Sequence, residues 1–274
     1  MRTIIDYDVM GIPCRFSTTI PEVGNHFRHI FEYLRLRGSS SPVRFRIELT
    51  RTGEKYRLAH DTKAEVYPHL PTAVLNLEFK AFQEPMQRMK GTVLFHAAWS
   101  TRGPRAFVFP GRGDSGKSTL AYGFSMQGYD FGSDEWLGFR EDGSLIPFPR
   151  KILLKRGNPW IERHALRPSE KNILHKLDGR IYPDLPETGN LAKAGLFDPI
   201  FFFLTRKPEG PARCREIPTL EALEELMALC PNRKTMTPQH FQTLVSFLKP
   251  GRIFRLSFAS VDEAMGKILE VAGE

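Results

Sequence analysis

The chain has 274 residues, 41% hydrophobic and 26% charged, proportions ordinary for a soluble globular protein with a proper core. Its net charge of +8 suits anionic partners, but the basic residues form no long run and no aromatic–basic interleaving rises above background, so nucleic acid is not expected. Three dispersed cysteines, Cys14, Cys214 and Cys230, with no C-x-x-C pair, suggest neither a zinc site nor a disulfide framework and read as structural thiols.

The opening MRTIIDYDVMG has acids where a secretory signal needs an unbroken apolar stretch. Residues 1–17 read as a strand pair around MGIP. Val23, Phe27, Ile30, Phe31 and Leu34 recur at helical spacing over 21–37, and Gly38 follows as a stop. VRFRIEL (43–49) alternates strictly, with Val43, Phe45, Ile47 and Leu49 on one face, the pattern of a half-buried strand. Residues 51–70 give weaker strand and turn signals. Leu75, Phe79, Phe82, Met86 and Met89 make a helical stripe whose end Pro85 blurs. These stripes read as core, and residues 1–90 are expected to form a small N-terminal α/β domain without chemistry of its own.

The texture changes at Gly91. GTVLFHAAW reads as a strand, STRGP as a turn, and RAFVFP as a second strand running into PGRGDSGKST. STLAYGFSMQ reads as a helix, YDFGSDEWLGF as strand and loop, and Asp142-Gly143 as a hairpin turn into SLIPFP. Helical stretches are expected over 159–178, then a proline-broken loop (182–190) and an apolar strand PIFFFL (199–204). The segment LFDPIFFFL is too short to span a bilayer and contains Asp198 and Pro199, so the expectation is a cytoplasmic protein with no membrane association. Helices are expected at 219–229 and 238–248 and a strand at 252–258. Ser260-Val261-Asp262-Glu263 should open a last helix as a capping box. Strands and helices alternate, which argues for α/β architecture, with residues 91–274 as one catalytic domain.

Gly111-Arg112-Gly113-Asp114-Ser115-Gly116-Lys117-Ser118 matches G-x-x-x-x-G-K-[ST] without a gap. Glycines let successive N–H groups turn inward around an anion, and the following helix adds its free N–H groups and dipole. Lys117 would face the β and γ phosphates and Ser118 would give a hydroxyl oxygen to Mg²⁺, with Thr119 completing the nucleotide-binding set. At average glycine usage such a match arises by chance in about 1% of chains this long, and here an apolar strand precedes it and a helix follows.

Asp134 and Glu135 come just one helix after Lys117. In GTPases and in ABC- and AAA-type ATPases the metal-supporting acid lies further along, and neither an N/T-K-x-D element nor an LSGGQ-like signature follows the loop. Acids at the end of the strand after the first helix are a kinase-type arrangement, in which a carboxylate reaches both Mg²⁺ and the attacking hydroxyl. His96 and Gly111 come from a strand pair, so they can face one crevice at the strand ends.

The order His96 in LFHAAW, loop Gly111–Ser118, helix, then Asp134-Glu135 in GSDEW resembles the catalytic domain of HPr kinase/phosphorylase over about residues 91–160. The resemblance implies a P-loop kinase core of the HPr kinase and phosphoenolpyruvate-carboxykinase-like type, acting as a serine kinase with ATP and Mg²⁺. It implies Asp134 as general base, Glu135 beside Asp134 and Ser118 at Mg²⁺, and His96 behind Asp134. Arg156, in Leu154-Lys155-Arg156-Gly157, would stabilise the transferring phosphoryl group. Two departures stand out: Glu135 where the family has Asp, and an Arg-Gly element lacking its preceding acid. They point to a relative with a different acceptor: a protein, peptide or small-molecule hydroxyl. A homo-oligomer is compatible with this reading. The alternatives are a small-molecule kinase of the shikimate-kinase type and a nucleotide-binding regulator.

Overall fold

The computed structural model describes residues 1–36, 38, 42–175, 179–187 and 189–274. They form a mixed α/β protein with two sheets and, among the described residues, seven α-helices. The chain divides into two compact units: residues 1–89 with 153–184, and residues 90–152 with 185–274. The first boundary falls beside the expected one at residue 90. Segment 153–184, which the sequence places with the second domain, belongs instead with the first.

In the first unit, β1 (Thr3–Val9) and β2 (Ile12–Thr18) form a hairpin. Its tight turn holds Met10 and Gly11 at φ 52° and 92°, as the MGIP stretch anticipates. β3 (Phe45–Thr52) pairs parallel to β2, and β4 (Lys55–His60) and β5 (Lys63–Tyr67) extend the sheet antiparallel, giving the order β1-β2-β3-β4-β5. Phe45, Ile47 and Leu49 are buried and Arg46 is exposed, so the alternation sets the face. Helix α1 (Pro21–Ile30) ends earlier than its apolar spacing suggests. Phe31 leaves helical geometry at φ −101°, ψ 19°, and a 3₁₀ turn carries Leu34. The reward is a ring cluster in which Phe27 stacks on Phe16 and on Phe31 at 4.1 and 4.3 Å and meets Tyr7 edge-on. Residue 37, the expected end of this helix, lies outside the described residues.

Helix α2 (Leu70–Met86) corrects the expected stripe. Val74, Leu77, Ala81 and Phe82 face the core, while Leu75 and Phe79 are exposed at 37% and 51%. The true buried face also includes a glutamate, Glu78, which an apolar template skips. Pro85 sits in the last turn, and the Ala81 carbonyl that its missing N–H leaves open accepts from Tyr7 OH at 2.8 Å.

Of the expected helical stretch 159–178, only Pro159–Arg163 (α4) is α-helical in full, capped by Asn158, whose side chain accepts from Trp160 N–H. Ala165 then turns left-handed and Pro168 follows, which stops propagation. Residues 176–178 of that stretch, and residue 188 of the expected loop, lie outside the described residues. What fixes 153–184 is a buried polar knot. His26 Nδ1 accepts from Ile173 N–H (3.2 Å), so Nε2 carries the hydrogen and donates to Glu78 Oε1 at 2.6 Å. Tyr182 OH donates to Glu78 Oε2 at 2.7 Å, with Arg180 Nη1 3.8 Å away.

The second unit is built on β6 (Thr92–Arg102), eleven residues long and almost wholly buried. β7 (Arg105–Pro110) returns antiparallel along one edge. The other edge is shared: β9 (Trp136–Arg140) pairs with Thr92–His96, and β8 (Asp130–Ser133) with Trp99–Thr101, with a register shift at Trp99/Ser100. β10 (Leu145–Ile146) joins β9. β11 (Asp198–Arg206) and β13 (Ile253–Phe258) continue parallel to β7, and β12 (Arg213–Glu216) closes the far edge. β7 is buried on both faces, which explains its unbroken apolar run. Phe107 stacks on Phe124 of helix α3 (Lys117–Met126) and Phe109 packs against it at a tilt. Ala106 and Val108 point into the cluster holding Ala222 and Leu226 of α5 (Thr219–Ala228) and Leu244 of α6 (Pro238–Phe247). Each such large apolar side chain contributes about 1.5–3 kcal/mol on burial.

The last helix, α7 (Val261–Ala272), starts after Ser260, but the expected capping box is not made. Ser260 caps nothing through its side chain, and Glu263 accepts from Ala212 N–H at 3.0 Å instead. A capping box does form at α6, between Thr237 and His240.

Removing the Glu78 carboxylate leaves His26 and Tyr182 buried without their acceptor. Glu78→Ala should lose about 3–5 kcal/mol of stability in urea unfolding and expose 153–184 to proteolysis, whereas Glu54→Ala in the exposed β3–β4 turn should stay within about 0.5 kcal/mol.

Candidate functional site

The loop Gly111–Gly116 leaves the C-terminal end of β7 and enters α3 at Lys117. Two of its residues are left-handed: Asp114 at φ 64° and Gly116 at φ 98°. Such alternation turns successive N–H groups toward one concave side, the geometry of an anion nest. The sequence assigns that freedom to the glycines. Asp114 takes it instead of Gly113, and aspartate is among the side chains that tolerate it. At Gly116 only glycine fits: a Cβ there would stand 2.9 Å from the ring of Phe258, at the end of β13. A Cβ on Gly111 would stand 3.9 Å from Leu204 of β11. The C-terminal ends of β7, β11 and β13 therefore converge under the loop, the usual place for a ligand on a parallel sheet.

Lys117 is only 6% exposed. Its Nζ donates to the carbonyls of Gly111 (2.9 Å) and Arg112 (2.7 Å), so the ammonium is folded back along its own loop. Ser115 Oγ is buried and has no hydrogen-bond partner among the described residues. Thr119 is buried in the first turn of α3. A loop with left-handed turns at Asp114 and Gly116, a buried ammonium and an orphaned hydroxyl suits a polyphosphate.

Ser118 Oγ donates to Asp134 Oδ2 at 3.1 Å, and Asp134 is 3% exposed. The pairing of β6 explains the meeting. Ser133 lies opposite Trp99 and Trp136 opposite His96, so Asp134 and Glu135 occupy the crossing from β8 to β9. Ser133 Oγ accepts from the N–H groups of both Glu135 and Trp136, at 3.0 and 2.9 Å, which locks that crossing as a Ser turn. On the opposite edge Pro110 lies across from Ala97, and Gly111 N–H donates to the His96 carbonyl at 3.4 Å. Loop and acid pair thus flank β6 at one level. One hydroxyl and one carboxylate oxygen side by side are hard donors that suit Mg²⁺.

His96 joins this group. Burial pushes its imidazole down to about 4, with Lys117 acting in the same direction and Asp134 opposing. It is therefore neutral at pH 7, its ring 5.4 Å from that of Trp136. Glu135 stands beside Asp134, but its carboxylate is held by Arg150: Nη2 lies 2.6 Å from Glu135 Oε2, and Nε 3.9 Å from Asp134 Oδ1. Arg150 is 7% exposed and carries no sequence signal, since PFPRK fits no spacing rule. Ser133 had one, as a hydroxyl next to two acids at a strand end. No contact of Arg156 with this group is among the hydrogen bonds and ion pairs of the described residues. Arg156 belongs to the first unit, exposed, with its aliphatic carbons against Gly179.

Two further features lie elsewhere. A cavity of about 370 Å³ lined by Pro104, Phe197, Asp198 and Phe247 opens at the N-terminal ends of β7 and β11, opposite the loop. In the first unit His29, Glu32 and Asp184 each bring a ligand atom within 4.8 Å of the others, with both carboxylates exposed. Among the described residues no helix is long and apolar enough to cross a membrane.

Gly116→Ala should cost at least about 1–2 kcal/mol from its backbone alone, while Gly113→Ala, whose Cβ would meet nothing within 4 Å, should unfold in urea within about 0.5 kcal/mol of the parent. His96 gives a pH signature. The unfolded imidazole takes a proton near 6.5 and the folded one only near 4. Between these values the unfolded state binds more protons, so stability falls as pH drops from 6.5 to 4. His96→Gln should flatten that part of a stability-against-pH curve. The chain matches no protein-family model, and no curated protein is similar enough to it to match.

Proposed function

We propose that this protein is an ATP- and Mg²⁺-dependent kinase that transfers the γ-phosphate to a serine hydroxyl of a protein or peptide, on a P-loop kinase core of the HPr kinase and phosphoenolpyruvate-carboxykinase-like type in its second unit. The observation that carries the reading is the Ser118–Asp134 hydrogen bond at the mouth of a loop whose next residue inward is the buried Lys117. A structural Gly-rich turn has no need of a carboxylate 3% exposed beside the first turn of its helix.

In this reading the inward amides of Gly111–Gly116 and the ammonium of Lys117 bind the phosphates, Lys117 exchanging its two carbonyl partners for phosphate oxygens. Ser118 and Asp134 would hold Mg²⁺, with Glu135 beside them, and the metal when bound would supply charge neutralisation on the phosphate oxygens. Asp134 orients the acceptor hydroxyl and takes its proton as that oxygen bonds to the γ-phosphorus and the bond from phosphorus to the ADP oxygen breaks. Neutral His96 fills the space behind this pair without adding charge. Arg150 is the arginine that reaches the acids.

Incubation with γ-labelled ATP and Mg²⁺ should label a serine-bearing acceptor captured on the Asp134→Asn variant. Asp134→Asn should lower kcat about 10²–10⁴-fold with ATP binding retained. Lys117→Met should weaken ATP binding about 10–100-fold, the value of a charge-assisted contact. Unchanged transfer by Asp134→Asn would remove the base assignment, and a parent protein that binds no nucleotide would remove the kinase reading altogether.

A further inference from the structure

Arg150 is the one member of the acid cluster that the phosphoryl-transfer reading does not use. Its guanidinium reaches both carboxylates, at 2.6 Å to Glu135 and 3.9 Å to Asp134. It approaches Asp134 at Oδ1, whereas Ser118 binds Oδ2. The metal-facing oxygen is therefore left to Ser118, and the arginine backs the carboxylate from the other side.

Arg150 is the cation that reaches both anions of the pair, and Asp134 and Arg150 are 3% and 7% exposed, while the Glu135 side chain is half-buried. Two adjacent carboxylates so placed, without a cation, would recruit a metal or hold a proton. Arg150 removes that need. A divalent ion arriving alone would enter beside the fixed positive charge of Arg150 in a poorly screened place. The same ion arriving with a polyphosphate brings compensating negative charge.

We propose that Arg150 is a built-in counter-ion that makes the site accept its divalent cation together with nucleotide and refuse it alone. The proposal rests on the reading of Gly111–Ser118 as a nucleotide site, and it concerns how that site is regulated: free divalent metal does not charge it ahead of nucleotide. It also defines Arg150 as a positioning residue, since it touches the carboxylates and not the reacting atoms.

The test is a Mn²⁺ titration of the nucleotide-free protein, read by loss of the free-ion paramagnetic resonance signal, for the parent, Arg150→Met and Arg150→Lys. The parent should bind Mn²⁺ weakly. Arg150→Met should bind at least ~10-fold tighter, inside the 5- to 150-fold span of an ordinary coupling. Arg150→Lys, which keeps the charge, should stay within about 3-fold of the parent, well under that coupling. Equal affinity in the parent and Arg150→Met would overturn the proposal. If Arg150→Met does not fold, the parent decides alone: micromolar Mn²⁺ binding without nucleotide sinks it, and only millimolar binding upholds it. A fluorescent ATP analogue with Mg²⁺, titrated into the parent, tests the underlying reading separately. Failure there with weak Mn²⁺ binding and a tighter Arg150→Met would retire the nucleotide site while leaving the counter-ion standing.

Discussion

The whole candidate site depends on how β6 shares its edges. A strand of eleven residues is too long for either short partner on one side, so β9 takes its first half and β8 its second. The chain must cross between them, and Asp134-Glu135 is that crossing. On the other edge β7 runs out at the same height, and the phosphate-type loop begins. Two segments separated by the whole of α3 are thus forced to one level of one strand. His96 is the residue of β6 at that level, which is why a histidine in the middle of a buried strand meets both a lysine and an aspartate.

The site is buried to a degree that only mutual compensation permits. A lone carboxylate at the exposure of Asp134 would be costly. Here it has a hydroxyl donor on one oxygen and a guanidinium near the other. Lys117 is satisfied by two carbonyls of its own loop. Each charged group is thus held in place by its neighbours. The first unit repeats the tactic with different residues: Glu78 is buried because a histidine, a tyrosine and an arginine surround it.

What could be read from the residues was what short-range physics writes. The Met10-Gly11 hairpin, the Phe45-Ile47-Leu49 face, the strand–loop–helix around Lys117 and the acids one helix later all depend on neighbours within a few positions. The failures share the opposite property. Leu75 and Phe79 looked like core because the template counts apolar residues, whereas the helix turns toward the core a face that includes a glutamate partnered from 104 residues away. Ser260 and Glu263 had capping-box spacing, yet Glu263 was drawn off by Ala212. Arg150 acquires meaning only when the chain beyond β10 brings it back to the acids.

The division of the chain has a temporal corollary. The first unit is completed only when 153–184 returns to it, about a hundred residues after its own first stretch ends. At ribosomal rates of about 5–20 residues per second, that is a wait of roughly 5 to 20 s, during which His26 and Glu78 have each other but neither Tyr182 nor Arg180. Nascent α1 and α2 therefore spend seconds with an unfinished polar pocket, and the intervening β6–β10 stretch emerges before that pocket can close. Assembly of this protein is interleaved: neither half can be finished on the ribosome before the other has begun.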